Sequence, residues 1–200
     1  MGQRLERWPS WIERALQGVA FWIGHRQSLY SDYPLSESAM VTEVCNLIHA
    51  NLPHEYRLRC EVQYSELVTD WGDGGPLSER ARVDLVVEER RRVGDADKER
   101  PLFVIEVKRA GAPRREIDKD LRRLAAVKSA VPYVRAFLFV ISEGSRPIRF
   151  VSEFGQSILG KHKISVDAHY RVRRTWKAAK AYKTKGSAHY ACLLEVFNTA

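Results

Sequence analysis

Apolar positions recur at two different spacings along the chain, and the two spacings predict two kinds of element. A helical repeat of apolar residues predicts three helices, which are Trp8–Ile23, Ser36–Leu52 and Arg114–Ala130. Alternating or continuous β-branched and apolar residues predict strands, which are Leu58–Leu67, Arg82–Glu88, Leu102–Arg109, Tyr133–Ser142 and Tyr190–Phe197. Two hundred residues suit one domain with an ample core.

The first predicted helix begins with a capping box, in which Ser10 precedes Glu13 by three residues. Its apolar positions favour an amphipathic helix packed on the core. Three tryptophans and one phenylalanine also supply anchor residues, so a contact between two copies of the chain stays open. The polar stretch Gly24–Pro34 predicts a connection, and residues 1–34 are interpreted as a helical extension.

Charged residues interrupt two strands that otherwise favour burial. A hairpin centred near Asp95 places Asp84 opposite Glu106, with Cβ atoms about 4.5–5.5 Å apart. Lys108 lies two residues further on and so shares the face of Glu106. The other face of that strand (Phe103, Ile105 and Val107) is apolar, which indicates burial on both sides. The alternative is an edge strand whose charges face solvent.

Two facing carboxylates repel one another unless a cation lies between them or one is protonated. Hard oxygen ligands suit Mg²⁺, which often takes one or two carboxylates together with water and phosphate oxygens. We therefore expect a divalent cation site at Asp84 and Glu106.

Asp84, followed after a hairpin by Glu106-Val107-Lys108, resembles the Asp…(Asp/Glu)-x-Lys signature of the restriction-endonuclease-like, or PD-(D/E)xK, nucleases. The resemblance covers Ser36 to Ser142 and includes the order helix, strand, strand, strand, helix, strand. Val83 stands where the family pattern has proline. The resemblance implies an α/β (α+β) fold with a mixed central β-sheet flanked by helices. It implies a Mg²⁺- or Mn²⁺-dependent DNA endonuclease of restriction, defence or mobile-element type.

The resemblance also implies roles for particular residues. Asp84 and Glu106 would hold the metal, with the Val107 carbonyl as a further ligand, and Lys108 would orient water or stabilise the phosphorane. Glu37 lies within the apolar stripe of its helix, whereas Glu43 lies outside it, so Glu37 is the candidate for an additional metal or water ligand. The alternative for Glu37 is a first-turn glutamate that favours the helix dipole and faces solvent.

Positive charge is concentrated near the end of the chain. Between residues 161 and 185 nine Lys and Arg stand against one acid, Asp167, and aromatic residues are interleaved. Such a segment is typical of a nucleic-acid surface, although a solvated basic surface stays open. The candidates for nucleic-acid binding are Lys161, Lys163, Arg171, Arg173, Arg174, Lys177, Lys180, Lys183 and Lys185. The Gly-rich loop Thr69–Arg80 and Lys128 are further candidates for contact with nucleic acid.

Three widely spaced cysteines without a zinc-ligand pattern favour reduced thiols. With no apolar run long enough for a membrane span and no signal-peptide pattern, we expect a cytoplasmic protein. Two other functions stay open, a non-cleaving nucleic-acid-binding subunit with a nuclease fold and a basic adaptor for an acidic protein. The expected partner is DNA, with RNA, a homodimer and a larger nuclease complex left open.

Overall fold

The computed structural model describes residues 9–29, 33–68, 81–93, 96–179 and 188–198. Four helices and seven strands follow one another in this part of the chain. The helices are α1 (Ser10–Leu29), α2 (Glu37–Asn51), α3 (Tyr64–Leu67) and α4 (Arg114–Ala130). The strands are β1 (Tyr56–Gln63), β2 (Arg82–Val93), β3 (Ala96–Arg109), β4 (Arg135–Ser142), β5 (His162–Lys163), β6 (Ala168–Ala179) and β7 (Ala188–Asn198).

The strands form one mixed sheet in the order β1-β2-β3-β4-β7-β6-β5. Strands β3 and β4 are parallel and are joined by α4, and the other neighbours are antiparallel. A parallel pair needs a crossover connection, and a helix is the usual one. The structure therefore confirms the predicted α/β class with a mixed sheet flanked by helices.

Helices cover both faces of the sheet. α1 and α2 pack over apolar side chains that include Leu85, Ile105 and Phe137. α4 packs on the opposite face, over side chains that include Val104 and Leu138. Because β3 lies between these two layers, its apolar residues point both ways, as its sequence predicts.

Helix α1 packs on the core, which was the favoured interpretation. The Trp11 side chain is buried and meets the Phe103 ring edge-on, with centroids 5.2 Å apart. The helix continues to Leu29, so the expected connection from Gly24 is wrong for its first residues. The helix ends in an exposed turn, where Leu29 faces solvent. Polar residues are compatible with such a turn, so they do not mark the end of the helix.

The first strand is shorter than predicted. It ends at Gln63, and Tyr64–Leu67 form the single turn α3, closed by a capping box between Gln63 and Glu66. The alternation of apolar residues continues into this turn, which is why the sequence predicts a longer strand. The turn moves Tyr64 off the strand and buries it completely against the core.

The central hairpin has the predicted register next to the charged residues and a different one further away. Leu85 pairs with Ile105, Val86 with Val104, and Val87 with Phe103, and a bulge then shifts the register after Val87. The expected polar turn is wrong for residues 89–93 and 96–101, because the two strands continue to Val93 and from Ala96, and Gly94 and Asp95 lie outside the described residues. Opposite charges face each other there, as in the pairs Glu89–Arg100 and Arg90–Glu99, and such pairs stabilise polar strands.

Helix α4 begins and ends where predicted, and Ile117, Leu121, Leu124 and Ala125 are buried. Lys128 Nζ donates to the carbonyls of Pro132 and Val134, the latter at 2.8 Å, so it holds the connection that follows the helix, and a contact with phosphate stays a prediction. No helix among the described residues is long and apolar enough to span a membrane. The Thr69–Arg80 prediction lies outside the described residues.

Candidate active site

Asp84 and Glu106 lie side by side on the face of the sheet that α4 covers. The pairing of Leu85 with Ile105 places them on neighbouring strands at the next position of the hairpin. Oδ2 of Asp84 accepts a hydrogen bond from the amide of Val107 at 2.7 Å. Glu106 is only 4% exposed. The predicted convergence of the two carboxyl groups is therefore present, with Glu106 buried and Asp84 partly buried.

Tyr64 completes the environment of Glu106. Its hydroxyl donates a hydrogen bond to Oε1 of Glu106, and both side chains are buried. The sequence interpretation missed this residue because it placed Tyr64 on a strand. The sequence held one indication of this role. Tyr64 comes at the end of β1, where the chain must turn before it enters β2, the strand that carries Asp84.

Burial dominates the titration of this pair. Burial raises the pKa of Glu106 well above the ordinary value of 4.5, and the neighbouring carboxylates of Asp84 and Asp120 raise it further. Burial also raises the pKa of Asp84, although the Val107 amide opposes that change. Without a cation, the two carboxyl groups therefore favour a shared proton over two negative charges.

Lys108 lies between two acidic residues from different helices. Its Nζ is 2.7 Å from Oε1 of Glu37 on α2 and 3.0 Å from Oδ2 of Asp120 on α4. Burial opposes the charged form of Lys108, but these two carboxylates outweigh burial and raise its pKa above the ordinary value. The ammonium therefore stays charged, and it links the two helices across the end of β3.

Asp120 is a buried acid that the sequence interpretation missed. It is 3% exposed, and its Oδ1 accepts a 3.3 Å hydrogen bond from Arg123. The helical repeat contained a signal, because Asp120 lies about 60° from Ile117 around the helix, at the border of the apolar stripe. A carboxylate at such a position needs a cation, and Lys108 with Arg123 supplies it.

Glu37 reaches the site in a different way from the one expected. It occupies the first turn of α2, whose N-cap Ser36 accepts the Ala39 amide at 3.2 Å. Its side chain is 43% exposed and contacts Lys108. The outward orientation of a first-turn glutamate and the contact with the site are therefore both present, and a role as metal or water ligand stays a prediction.

Glu61 is a further acidic residue near Asp84. Its neighbours Cys60 and Val62 pair with Leu85 and Val83, which places Glu61 opposite Asp84 on β1. Its φ is 54°, in the left-handed region that residues other than glycine rarely adopt. Such strained residues cluster at functional sites, and only the structure reveals this one.

The oxygen donors of Asp84 and Glu106 fit a hard divalent cation, because two adjacent carboxylates repel one another without positive charge between them. Within the described ranges, no group of three or more His, Cys, Asp or Glu side chains is arranged to hold a metal ion. Mg²⁺ needs fewer, since one or two carboxylates with water are often sufficient. For Val107 the described contact is its amide on Asp84, and ligation through its carbonyl stays a prediction.

The basic segment has less free positive charge than its composition suggests. Glu195 on β7 is buried and lies against three arginines, which are Arg135, Arg171 and Arg173. Arg174 lies 2.9 Å from Glu13 of α1. The acids that neutralise β6 come from distant parts of the chain, so a count along the segment cannot include them.

Of the other six basic candidates, three lie among the described residues and three lie outside them. Lys161 Nζ lies 5.6 Å from the centre of the Phe197 ring, a cation–π contact. Lys163 and Lys177 are exposed. Lys180, Lys183 and Lys185 lie outside the described residues. Nucleic-acid binding by this segment stays a prediction, and Lys161, Lys163 and Lys177 are exposed candidates for it.

Comparison of the chain with protein-family models, with curated proteins and with solved structures found no match.

Proposed function

We propose that this protein is a metal-dependent nuclease that hydrolyses phosphodiester bonds, with DNA as the first substrate to test and RNA as the second. The observation that carries the proposal is the convergence of Asp84, Glu106 and Lys108 at one end of β3. A buried and a partly buried carboxyl group beside a charged lysine are a costly arrangement in a core, and a catalytic site would explain why it is present. A role in restriction, defence or mobile-element processing belongs to the same proposal.

Asp84 and Glu106 would hold the Mg²⁺ or Mn²⁺ ion. When bound, such an ion activates the attacking water and neutralises charge on the scissile phosphate. Tyr64 fixes the orientation of Glu106 by its hydrogen bond, and the Val107 amide fixes that of Asp84. Both carboxyl groups are thus positioned before any substrate binds, which limits the reorganisation that the reaction needs.

Lys108 would supply positive charge to the phosphorane. Glu37 and Asp120 keep the ammonium protonated and hold it at the end of β3. A preorganised cation stabilises negative charge that develops in the transition state more than charge present in the ground state. Glu37, which is partly exposed, is the partner that an incoming phosphate would displace more easily than the buried Asp120.

A second candidate is a nuclease-fold protein that binds nucleic acid without cutting it. The observation that favours it is that the charged and polar side chains of the site already have partners within the protein. Lys108 has two carboxylate partners, Glu106 accepts from Tyr64, and the pKa of Glu106 is raised well above its ordinary value. A site that keeps a proton and never exchanges it for a metal would be structural.

Cleavage of supercoiled plasmid in Mg²⁺, Mn²⁺ or EDTA tests the proposal. We expect nicked or linear plasmid with either metal, none with EDTA, and loss of cleavage in Asp84→Ala, Glu106→Ala and Lys108→Ala. Lys119→Ala is the matched control, since Lys119 is an exposed lysine on α4. Full activity in any of the three site variants would overturn the assignment.

Metal binding separates the two candidates without an activity assay. A ligand that binds only the native state raises thermal stability. We expect Mg²⁺ to raise the melting temperature of the natural protein and to leave that of Glu106→Gln unchanged. Intact plasmid under every metal, together with salt-sensitive gel shifts and no thermal effect of Mg²⁺, would favour the non-cleaving binder.

A further inference from the structure

A cavity of about 520 Å³ lies beyond the carboxyl ends of the parallel strands β3 and β4. It is bordered by Ala110, which follows β3, by Ser145, which follows β4, and by the first turn of α4. Its volume is within the range of about 300–1,000 Å³ that is usual for ligand sites. In open α/β sheets, ligands commonly bind outside the carboxyl ends of the strands.

The walls of the cavity carry strong positive charge. Arg114, Arg146 and Arg149 line it, and the described carboxylate against them is Asp118, which lies 2.6 Å from Arg149 and 3.6 Å from Arg114. Arg146 donates to the Val151 carbonyl at 3.3 Å. Three guanidinium groups against one carboxylate leave an excess of positive charge for an anion.

Arg149 is held in a fixed orientation at the wall of the cavity. Asp118 and the Tyr170 hydroxyl hold two of its nitrogen atoms, and its guanidinium lies 5.3 Å from the centre of the Phe150 ring. A cation fixed in this way loses little side-chain freedom when an anion binds.

The cavity also has an apolar side, formed by residues that include Ile117, Ile148 and Phe150. Ile148 is 73% exposed, although it borders a cavity. An apolar surface beside guanidinium groups matches a ligand with a flat ring at one end and an anion at the other. A nucleotide has both parts, whereas inorganic phosphate has only the second.

We propose that this cavity binds one nucleotide of a nucleic-acid strand, with its phosphate on the arginines and its base against the exposed side chain of Ile148. Ala110 is two residues beyond Lys108, which is about 6.6 Å along a strand. The cavity therefore lies next to the end of β3 that carries the proposed site of cleavage. This choice of ligand rests on the proposed function, but binding in the cavity does not require cleavage.

Binding of a fluorescent single-stranded DNA oligonucleotide in EDTA tests the proposal, measured by anisotropy over a range of salt. The double variant Arg114→Ala/Arg146→Ala is compared with Arg115→Ala/Arg122→Ala, which removes the same charge from exposed positions of α4 outside the cavity. We expect the cavity variant to bind at least about tenfold more weakly and the slope of its salt dependence to fall by about 0.7, the value for one lost phosphate contact on a single strand. Thermal unfolding confirms that both variants fold.

The apolar side has its own test. Ile148→Asp should weaken oligonucleotide binding, while Leu159→Asp, at an exposed leucine outside the cavity, should not. A deoxynucleoside 5′-monophosphate should displace the oligonucleotide at concentrations where the nucleoside and inorganic phosphate do not. Equal displacement by inorganic phosphate, equal effects of the two arginine pairs, or unchanged binding in the cavity variant would each overturn the proposal.

These outcomes are separable from those of the cleavage assay. Loss of binding in the cavity variant by a protein that never cuts plasmid would support the nucleotide site and refute the nuclease. Metal-dependent cleavage by a protein whose cavity variants bind normally would support the nuclease and refute the nucleotide site.

Discussion

The Tyr64 hydroxyl donates a hydrogen bond to the Glu106 carboxyl group, and both residues are buried. The phenol comes from the turn after β1 and the carboxyl from the last residues of β3, so the bond joins two distant parts of the sequence. It favours the ionised form of Glu106 against the effect of burial, which raises the pKa. In the proposed metal site, the donor would therefore help Glu106 to exchange its proton for a metal ion.

Tyr64→Phe should lower the free energy of unfolding by about 1–3 kcal/mol, because it leaves a buried carboxyl oxygen without its donor. Urea denaturation measures the change. Tyr33→Phe is the control, since Tyr33 is 70% exposed, and its effect should stay within about 0.5 kcal/mol. Equal effects of the two substitutions would contradict the role of the hydrogen bond.

Glu106 should make stability fall as pH rises in metal-free buffer. The unfolded chain loses this proton near the ordinary pKa of 4.5, whereas the native protein keeps it to a higher pH because its pKa is raised. The native state therefore binds more protons above pH 4.5, and its advantage is lost as pH rises through the folded pKa. The free energy of unfolding of the natural protein minus that of Glu106→Gln should decrease from pH 4.5 upward. A difference that increases with pH would contradict the raised pKa.

Mg²⁺ should oppose this pH effect. Metal ligands must be deprotonated, so the metal competes with the proton on the carboxyl pair, and its affinity should increase with pH. We expect the rise in melting temperature at saturating Mg²⁺ to be larger at pH 8 than at pH 5.5 and to be absent in Asp84→Asn. A rise that is equal at both pH values would place the bound metal elsewhere.

Asp120 and Glu37 should differ in their importance for folding although both contact Lys108. The Asp120 side chain is 5% exposed, and Asp120→Asn leaves buried cations with one carboxylate fewer, which costs about 3–5 kcal/mol. The Glu37 side chain is 43% exposed, and Glu37→Gln should cost about 0–1 kcal/mol. Chemical denaturation of both variants measures the difference. A larger cost for Glu37→Gln would contradict the assignment of Asp120 as the main partner.

Cys45 on α2 and Cys60 on β1 should form a disulfide under oxidation, since their Sγ atoms lie 3.2 Å apart. Burial and the neighbouring Cys45 raise the pKa of Cys60 to about 12, so little thiolate forms at neutral pH and the reaction should be slow. Diamide, which takes up the two electrons and two protons, should give an intramolecular disulfide that mass spectrometry detects as the loss of two hydrogen atoms.

The new bond would close a loop between residues 15 positions apart and should add up to about 3 kcal/mol of stability. Cys60→Ser should abolish the bond, whereas Cys192→Ser should leave it, because Cys192 is fully buried elsewhere in the sheet. An unchanged mass after diamide treatment would contradict the proximity of the two thiols.

The sequence by itself determined the elements whose signal is local. Helix α4 has the predicted bounds, because its apolar repeat continues without interruption between two breaks in the pattern. The hairpin register beside Asp84 and Glu106 also followed from the sequence, since two strands joined by a short connection have few ways to bury the same apolar residues. The shared face of Asp84, Glu106 and Lys108 is a consequence of that register.

The tertiary structure decided which residues surround that face. Tyr64, Asp120 and Glu37 approach β3 from three different helices, and no local repeat specifies which helix lies over which strand. The same reason explains the basic segment, whose charges are counted along the chain but neutralised by Glu13 and Glu195 through space. Periodicity shows on which face of its own helix or strand a residue lies. The burial of that residue, its partners and its pKa depend on what packs against that face.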